Sequence, residues 1–316
     1  MHRHVAVRLV SLAPILFGVS LLVFSMQHLV PGDIVDIVIA GDQAFGDKNA
    51  ADRLRRELNL DRPIAEQYVL WLGRALRGDL GTSFVSGRGV TGEILRRLPV
   101  NLELAALAIG FALLIGIPVG ALSAVRSGTW ADAAVRFGSV LGYSIPNFWA
   151  ATLTVLLGSL YFPRMPILQY VAFSTDPVRN LTLLVIPSFV LSLTVLPLIV
   201  RMTRASMLEN LRLDYVRTAR AKGLAERSVV FRHVLANSLI AVLNVTGVQV
   251  GILIGGLVLT EEIFILPGIG RFLLDSIQKR DFPVITGTTL FLATAFVCVN
   301  LLVDLLHGVL DPRIRR

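Results

Sequence analysis

The stretch LAALAIGFALLIGIPVGALSAV, residues 104–125, contains no Asp, Glu, Lys or Arg over 22 residues. As a helix it is long enough to cross about 30 Å of hydrocarbon. Five further stretches of 21 to 28 residues are also free of charge: 9–32, 137–163, 180–200, 233–260 and 282–303. All 30 basic and all 22 acidic residues therefore lie in the segments between and beside these six stretches. The sequence therefore predicts an all-α, polytopic membrane protein with six transmembrane helices, and it excludes an ordinary soluble domain.

The polar segments fall into two groups by charge, as expected if alternate segments lie on opposite sides of a membrane. Segments 1–8, 126–136, 201–232 and 304–316 sum to +9, and the intervening segments sum to −1, which together give the total of +8. Counting only Lys and Arg and leaving out the long first loop, the split is 15 against 5. Cytoplasmic loops carry such an excess, so both termini are predicted to be cytoplasmic. Membrane orientation explains the net positive charge of the chain, so no nucleic-acid partner is expected.

The charge pattern also predicts the order of segments along the chain. The first apolar run is longer than the core of a signal peptide, so we interpret it as a retained helix. The predicted segments are a cytoplasmic N-terminus (1–8), transmembrane helix 1 (9–30), an extracytoplasmic loop with amphipathic helices (31–100), a core with transmembrane helices 2–6 (101–308) that includes a cytoplasmic loop (204–236), and a cytoplasmic C-terminus (309–316).

Two short helices are predicted within the long outer loop. The first covers residues 49–58, and the second begins at Asp61-Arg62-Pro63, with Asp61 as the expected N-cap. The second helix places an apolar set on one face: Ile64, Tyr68, Trp71 and Ala75. Such a helix is expected to lie along the membrane interface or to pack on the helix bundle. Residues 78–83 then turn the chain back toward helix 2.

Small residues and prolines within the spans predict how the helices meet. Glycines four residues apart allow close approach of helix backbones, and they occur as Gly116 and Gly120 in helix 2 and as Gly247, Gly251 and Gly255 in helix 5. Prolines remove a backbone donor, so kinks or broken helices are predicted at Pro118, Pro146, Pro187 and Pro197. These sites could be hinges of a transporter or static bends of any bundle.

A search for catalytic chemistry gives little. None of the three lysines is followed by Ser or Thr, so a P-loop is absent and no ATP site is expected on this chain. There is no HExxH motif, and the single Cys298 lies in an apolar stretch, so neither a metal site nor a disulfide is expected. An intramembrane serine protease remains a distant alternative, with Ser144 and His307 as nucleophile and base. That match is poor, because no glycine follows at the second position after Ser144.

No charged residue occupies the middle of a span, which weighs against an ion-coupled carrier or an ion channel. The acidic residues at the span boundaries, Glu103 and Asp304, are interpreted as interfacial or bundle-facing polar groups rather than as transport groups.

The most unusual polar segment is DYVRTARAKGLAERS, residues 214–228. Asp214 is expected to cap a short helix in which Tyr215, Ala219 and Lys222 share a face, and Gly223 is expected to supply its left-handed C-terminal turn. A second helix is predicted from about residue 225 into span 5. Two short basic helices joined at a glycine suit docking into a groove of a partner. The alternative is a solvated basic loop that obeys the positive-inside rule.

At this segment the chain resembles a known family, the inner-membrane permeases of binding-protein-dependent ABC importers. The run YVRTARAKGL, 215–224, is nearly identical to the form found in the dipeptide/oligopeptide permease subgroup, although only Ala219, Gly223 and Leu235 match the general EAA-x3-G-x9-I-x-L-P pattern. Further similarities extend over nearly the whole chain: LVPGD (29–33), GDLG (78–81), RH with NS (232–233, 237–238), EIF with PGIGR (262–264, 267–271), and LVDLL with LDPR (302–306, 310–313).

The resemblance implies a type I ABC importer permease fold in a bacterial inner membrane. It implies a second, similar permease, two cytoplasmic ATPases that bind ATP, and an extracytoplasmic binding protein that meets the outer loops 33–98 and 261–281. Di- or oligopeptides are the implied cargo, with nickel complexes or glutathione as alternatives. The segment that contacts the ATPase would include Asp214, Tyr215, Arg217, Thr218, Ala219, Arg220, Lys222 and Gly223. Residues that bind substrate are unknown at this stage.

Overall fold

The computed structural model describes residues 2–29, 61–162 and 169–310, and the regular structure in these ranges is helical apart from one isolated bridge between Thr82 and Gly89. The helices are α1 His2–Leu29, α2 Ile64–Ala75, α3 Val90–Val125, α4 Trp130–Ser144, α5 Asn147–Tyr161, α6 Pro177–Ser192, α7 Leu196–Asn210, α8 Asp214–Ala221, α9 Glu226–Ser228, α10 Ala236–Ile263, α11 Ile269–Gln278 and α12 Phe282–Leu310. A π-helical segment, Val229–Leu235, joins α9 to α10. The predicted all-α membrane fold is confirmed.

Several of these helices can cross a membrane. Three stretches are long and apolar enough by themselves: Val90–Val125, Glu226–Gly251 and Phe282–Val303. Two further pairs of helices reach the required length only when the two members are taken together. The angle between α4 and α5 is 92°, and the angle between α6 and α7 is 60°. The part of α1 whose side chains are described, Leu12–Met26, is a shorter apolar helix. A count of six spans remains a prediction.

The helices extend beyond the uncharged stretches that predicted them. Helix α1 begins at His2 rather than at residue 9, and α3 begins at Val90, well before residue 104. At the other end of the chain, α12 runs from Phe282 to Leu310. The absence of charged residues marks the part of a helix that can lie in the hydrocarbon core of a membrane. The helix itself continues into the polar flanks, because its backbone hydrogen bonds do not depend on apolar side chains.

Prolines break two of the spans as predicted. Ile145, which precedes Pro146, is extended and separates α4 from α5, as expected for a residue before proline. Pro197 lies in the first turn of α7, directly after the break that separates it from α6. Pro118 and Pro187 lie within α3 and α6, and neither interrupts its helix. A proline therefore breaks these helices only where the chain also changes direction.

The chain forms two compact units, one of residues 100–268 and 298 onward, and one of residues 2–99 and 269–297. The first unit has two apolar cores. The larger includes Leu104, Leu184, Leu191, Ile199 and Phe264, and the smaller, which lies beneath α8, includes Ala121, Met207, Val216, Ala219 and Val230. The second unit is built around Val90, Ile94, Ile269 and Val284.

Helix α2, which belongs to the predicted outer loop, packs on α1. The ring of Phe24 lies 5.3 Å from that of Tyr68 and 5.6 Å from that of Trp71, and the Tyr68 hydroxyl is 2.7 Å from the Ser20 hydroxyl. The expected Asp61 cap is wrong, because Pro63 is the N-cap and no side chain caps the helix. The backbone of Pro63, with φ −54° and ψ 142°, occupies the N-cap position, and Asp61 lies two residues before it in the chain. The predicted helix at 49–58 lies outside the described residues.

Candidate functional site

The candidate site is the surface formed by residues 213–228, which we call the docking segment. Its first helix, α8, begins after Leu213, whose extended backbone occupies the N-cap position. The prediction that Asp214 caps this helix is therefore wrong. Asp214 is already helical, and its carboxylate lies 3.3 Å from the Arg217 guanidinium. A carboxylate in the first turn still favours the helix through the helix dipole.

Gly223 ends α8 in the predicted way. Its φ is +76°, in the left-handed region that favours glycine. The Gly223 amide donates to the Arg220 carbonyl at 2.9 Å, and the Leu224 amide donates to the Ala219 carbonyl at 3.4 Å. These two bonds form a Schellman motif, which satisfies the last carbonyls of the helix and fixes the direction in which the chain leaves it.

A salt bridge spans the glycine turn and joins the two short helices. The Arg220 Nε donates to Glu226 Oε2 at 3.1 Å, and its Nη2 donates to Glu226 Oε1 at 2.6 Å. This bidentate geometry fixes orientation as well as distance. The hydrogen bond to Glu226 raises the pKa of the Arg220 guanidinium. Because both side chains are exposed, the pair adds little to stability, but it restricts the angle at Gly223.

The underside of α8 is apolar and anchored to the transmembrane helices. Val216 and Ala219 are buried in the smaller core of the first unit. Tyr215 is half-buried against the same core, whereas Lys222 is exposed. The expected shared face of Tyr215, Ala219 and Lys222 is therefore wrong for Lys222. The buried stripe runs through residues 215, 216 and 219, because position 222 lies beyond the last helical residue, Ala221.

The opposite surface of the docking segment is exposed and carries polar and basic groups. The exposed residues that sequence analysis assigned to the site are Asp214, Arg217, Thr218, Arg220, Lys222 and Gly223. Two large apolar side chains beside them, Leu213 and Leu224, are 47% and 42% exposed. These two leucines add apolar surface beside the basic groups.

Hydrogen bonds connect the docking segment to the ends of α7 and α10. The Tyr215 hydroxyl donates to Asn210 Oδ1 at 3.1 Å, and the Asn210 amide donates to the Ser206 carbonyl at 2.9 Å and to the Ser238 hydroxyl at 3.2 Å. Sequence reasoning missed Asn210 and Ser206, and only proximity in the fold reveals them. Short, directional contacts therefore link α8 to α7 and α10.

A buried carboxylate joins three helices near the same end of the bundle. Asp132 accepts from Arg204 Nε and Nη2 at 2.7 and 2.9 Å, from the Ser123 hydroxyl at 2.6 Å and from the Gly128 amide at 3.1 Å. Its side chain is 1% exposed. Sequence reasoning missed this cluster, although the T-x-x-D sequence at 129–132 is a capping-box-like signal, and Asp132 donates its amide to Thr129.

The small residues of α3 lie directly against α7. A Cβ added to Gly116 would lie 2.8 Å from Ile199 Cγ2, and one added to Gly120 would lie 2.6 Å from the Val200 carbonyl oxygen. The glycines of helix 5 lie in α10, where Gly247 is half-buried and Gly251 is buried; the surroundings of Gly255 are outside the described part.

Of the two residues of the distant protease alternative, the structure describes the side chain of Ser144 alone. The Ser144 hydroxyl donates to the Val140 carbonyl at 2.9 Å, which is an ordinary helix contact, and the side chain of His307 is outside the described residues. Among the described residues no group of three His, Cys, Asp or Glu side chains could hold a metal ion. Glu103 is a bundle-facing group as interpreted, since its carboxylate accepts from Asn180 at 2.9 Å, whereas the side chain of Asp304 is not described.

Comparison with known proteins identifies the family. Residues 116–316 match the binding-protein-dependent transport system inner membrane component, and residues 1–105 match its N-terminal region. Relatives include a putative peptide transport system permease protein of Brucella abortus (42% identical), the dipeptide transport system permease protein DppB of Escherichia coli K12 (40%) and the di/tripeptide transport system permease protein DppB of Pseudomonas aeruginosa (41%). Each alignment covers 98% of this chain and 97% or 98% of the relative. The chain therefore belongs to the family of inner-membrane permease components of binding-protein-dependent ABC importers.

Proposed function

We propose that this chain forms one half of the translocation pathway of a peptide importer and that the docking segment couples it to a separate ATPase. Peptide cargo is supported by the relatives, which are named as peptide, dipeptide and di/tripeptide permeases. Nickel complexes and glutathione are the alternative cargoes. The observation that carries the coupling role is the rigid docking segment, whose exposed basic surface lies over a buried apolar underside.

The partner that fits this surface is an ATPase with a groove that accepts a short helix. Lys222 offers positive charge for acidic groups at the rim of such a groove, beside Arg217 and Arg220, which also pair with Asp214 and Glu226. Leu213 and Leu224 offer apolar contacts for its interior. Because the Schellman motif and the Arg220–Glu226 pair fix the angle between the two short helices, little conformational entropy is lost on docking.

The family and the absence of a P-loop support the complete assembly that we propose. It contains this chain, a second similar permease, two ATPases that bind ATP, and an extracytoplasmic binding protein that delivers the cargo. This chain binds no cofactor of its own. The charge distribution supports a bacterial inner-membrane orientation with both termini and residues 201–232 on the cytoplasmic side, where the ATPases are.

The mechanism that fits these parts is alternating access. When ATP closes the two ATPases, the docking segment moves with them, and the Tyr215–Asn210–Ser238 hydrogen bonds carry that movement into α7 and α10. No charged residue occupies the middle of a span, so the energy for transport enters through the docking segment rather than through an ion pathway.

Replacement of Gly223 by valine tests this role. Valine in the left-handed region is strained by roughly 1–2 kcal/mol, so the turn changes its conformation and the angle between the short helices is lost. We expect less peptide uptake per ATP hydrolysed by the complete transporter in proteoliposomes, with unchanged membrane insertion. Gly128→Val is the matched control, since Gly128 has φ +82° and open space around it, as Gly223 does, but lies outside the docking segment.

The two variants separate coupling from general strain. If Gly223→Val keeps the uptake per ATP of the unaltered protein, the docking segment is not the coupling element. If both valine variants lose the same fraction of uptake, the loss reflects backbone strain alone. The cargo is tested separately by mass spectrometry of the molecules that the cognate binding protein retains, and recovery of nickel complexes or glutathione in place of peptides contradicts peptide import.

A further inference from the structure

A basic cavity lies between α4 and α7, outside the docking segment. Its volume is about 520 Å³, which is within the range of small-molecule sites. Its lining combines apolar side chains with polar ones, among them Arg136, Ser139, Ser144, Arg201 and Arg204. Three of the lining residues are arginines and none is acidic. The cavity therefore suits a ligand that carries negative charge and a partly apolar body.

The charge of the cavity is only partly neutralised within the protein. Asp132 binds Arg204 in a bidentate pair and lies 3.7 Å from Arg136. For Arg201, which is exposed, the described part of the structure shows no carboxylate within salt-bridge distance. One carboxylate thus faces three guanidinium groups, and the excess positive charge is concentrated on Arg136 and Arg201.

The position of these two arginines along the chain places the cavity at the membrane surface. Arg136 directly precedes the uncharged stretch 137–163, and Arg201 directly follows the uncharged stretch 180–200. Each is therefore the first charged residue outside a hydrophobic span, and both are on the side with the Lys and Arg excess. Lipid phosphates occupy this depth of a bilayer.

We propose that this cavity binds the headgroup of an acidic phospholipid from the adjacent leaflet, with Arg201 and Arg136 contacting its phosphate. Basic pockets between transmembrane helices on the cytoplasmic side are suited to such headgroups. The acyl chains would lie along the apolar face of α4 beside the cavity, where Phe137, Val140 and Leu141 are exposed. Tyr143 is exposed on the same helix and suits the membrane interface.

The transported peptide fits this cavity less well. A peptide with free ends carries an ammonium group as well as a carboxylate, and no acidic side chain lines the cavity to accept it. The diol of phosphatidylglycerol needs only hydroxyl and carbonyl partners. The Ser139 and Ser144 hydroxyls already donate to backbone carbonyls and keep lone pairs that can accept from such a diol.

Native mass spectrometry of the complete, delipidated transporter tests the proposal. Dioleoylphosphatidylglycerol and dioleoylphosphatidylethanolamine are titrated separately, and phosphatidylglycerol is expected to bind more tightly. Arg201→Gln is expected to weaken phosphatidylglycerol binding about fivefold, the effect of one basic side chain near a membrane surface, and Arg201→Lys to retain it. Arg136→Gln is a second variant with the same expected direction. Arg126→Gln is the matched control, because Arg126 is exposed on the same predicted side but does not line the cavity.

Four results would overturn the proposal. Equal binding of the two lipids would show that the cavity does not select a net negative headgroup, and unchanged phosphatidylglycerol binding in both Arg201→Gln and Arg136→Gln would show that these arginines do not contact it. Displacement of the lipid by millimolar inorganic phosphate would assign the cavity to a free anion. Displacement by a dipeptide but not by its carboxamide would assign it to the cargo.

Discussion

The close approach of α3 and α7 leads to a prediction about alanine at Gly120. A Cβ at this position would lie 2.6 Å from the Val200 carbonyl oxygen and 2.7 Å from Thr203 Cβ. The first distance is 0.8 Å short of the 3.4 Å at which ordinary contacts begin. A backbone carbonyl in a helix cannot rotate away, so the two helices must separate locally. Overpacking of this kind costs about 1–3 kcal/mol.

Gly110 provides a matched control in the same helix, because a Cβ added there meets nothing within 4 Å. Both Gly→Ala changes gain the same helix propensity, up to about 1 kcal/mol. The difference between the two variants therefore isolates the contact with α7, and Gly120→Ala is expected to be about 1–3 kcal/mol less stable than Gly110→Ala. Gly116→Ala should be intermediate, since its nearest neighbour is the side-chain atom Ile199 Cγ2 at 2.8 Å, whereas the nearest backbone oxygen, that of Leu196, lies 3.5 Å away.

The free energy of unfolding of the three variants can be compared by titration with a denaturing detergent in mixed micelles, with helix content as the readout. The expected order of stability is Gly110→Ala, then Gly116→Ala, then Gly120→Ala. Equal stability of Gly120→Ala and Gly110→Ala would refute the reasoning, because it would mean that α7 moves away from α3 at no cost.

Two further buried contacts give predictions of the same kind. Asp132→Ala removes the carboxylate that faces Arg204, so it should lower the thermal stability of the purified protein more than Asp132→Asn, which keeps a hydrogen-bond acceptor. Equal losses would mean that the retained acceptor contributes nothing and that loss of the charge accounts for the whole effect. Gly268→Ala should lower the free energy of unfolding by about 1–3 kcal/mol in the same detergent titration, because the new Cβ would overlap the buried carboxylate of Glu261. An unchanged free energy of unfolding would contradict this packing.

Local signals in the sequence predicted much of the architecture and of the docking segment. The uncharged stretches identified apolar helices because helix length and bilayer thickness are linked. Pro146 and Pro197 predicted the broken spans, and Gly223 predicted the end of α8, because each acts on its own backbone. The prediction that Asp214 caps α8 was wrong by one residue, because the N-cap is Leu213. A local sequence pattern places the end of a helix less accurately than its presence.

Contacts between distant residues could not be predicted in this way. Asp132 and Arg204 are 72 residues apart, and the Asn101 amide and the Glu261 carboxylate are 160 apart, yet each pair forms a hydrogen bond of 2.7 Å. Both acidic residues had been counted only as charges of polar segments. A single sequence shows neither which helices are neighbours nor their rotation, and both are needed to pair buried polar groups.

Helix α7 links the packing, the buried ion pair and the docking segment. Gly120 of α3 lies against its first turns, Asp132 binds Arg204 near its middle, and Tyr215 of α8 contacts Asn210 at its end. These contacts with three different neighbours favour movement of α7 as one rigid helix. If the docking segment moves as proposed, a bend is expected at the 60° break between α6 and α7, because the backbone amides of residues 193–195 make only turn-type hydrogen bonds to α6, to the carbonyls of Val190, Leu191 and Ser192. On the proposed coupling mechanism, this break next to Pro197 is therefore where we expect a movement of the docking segment to change the direction of a transmembrane helix.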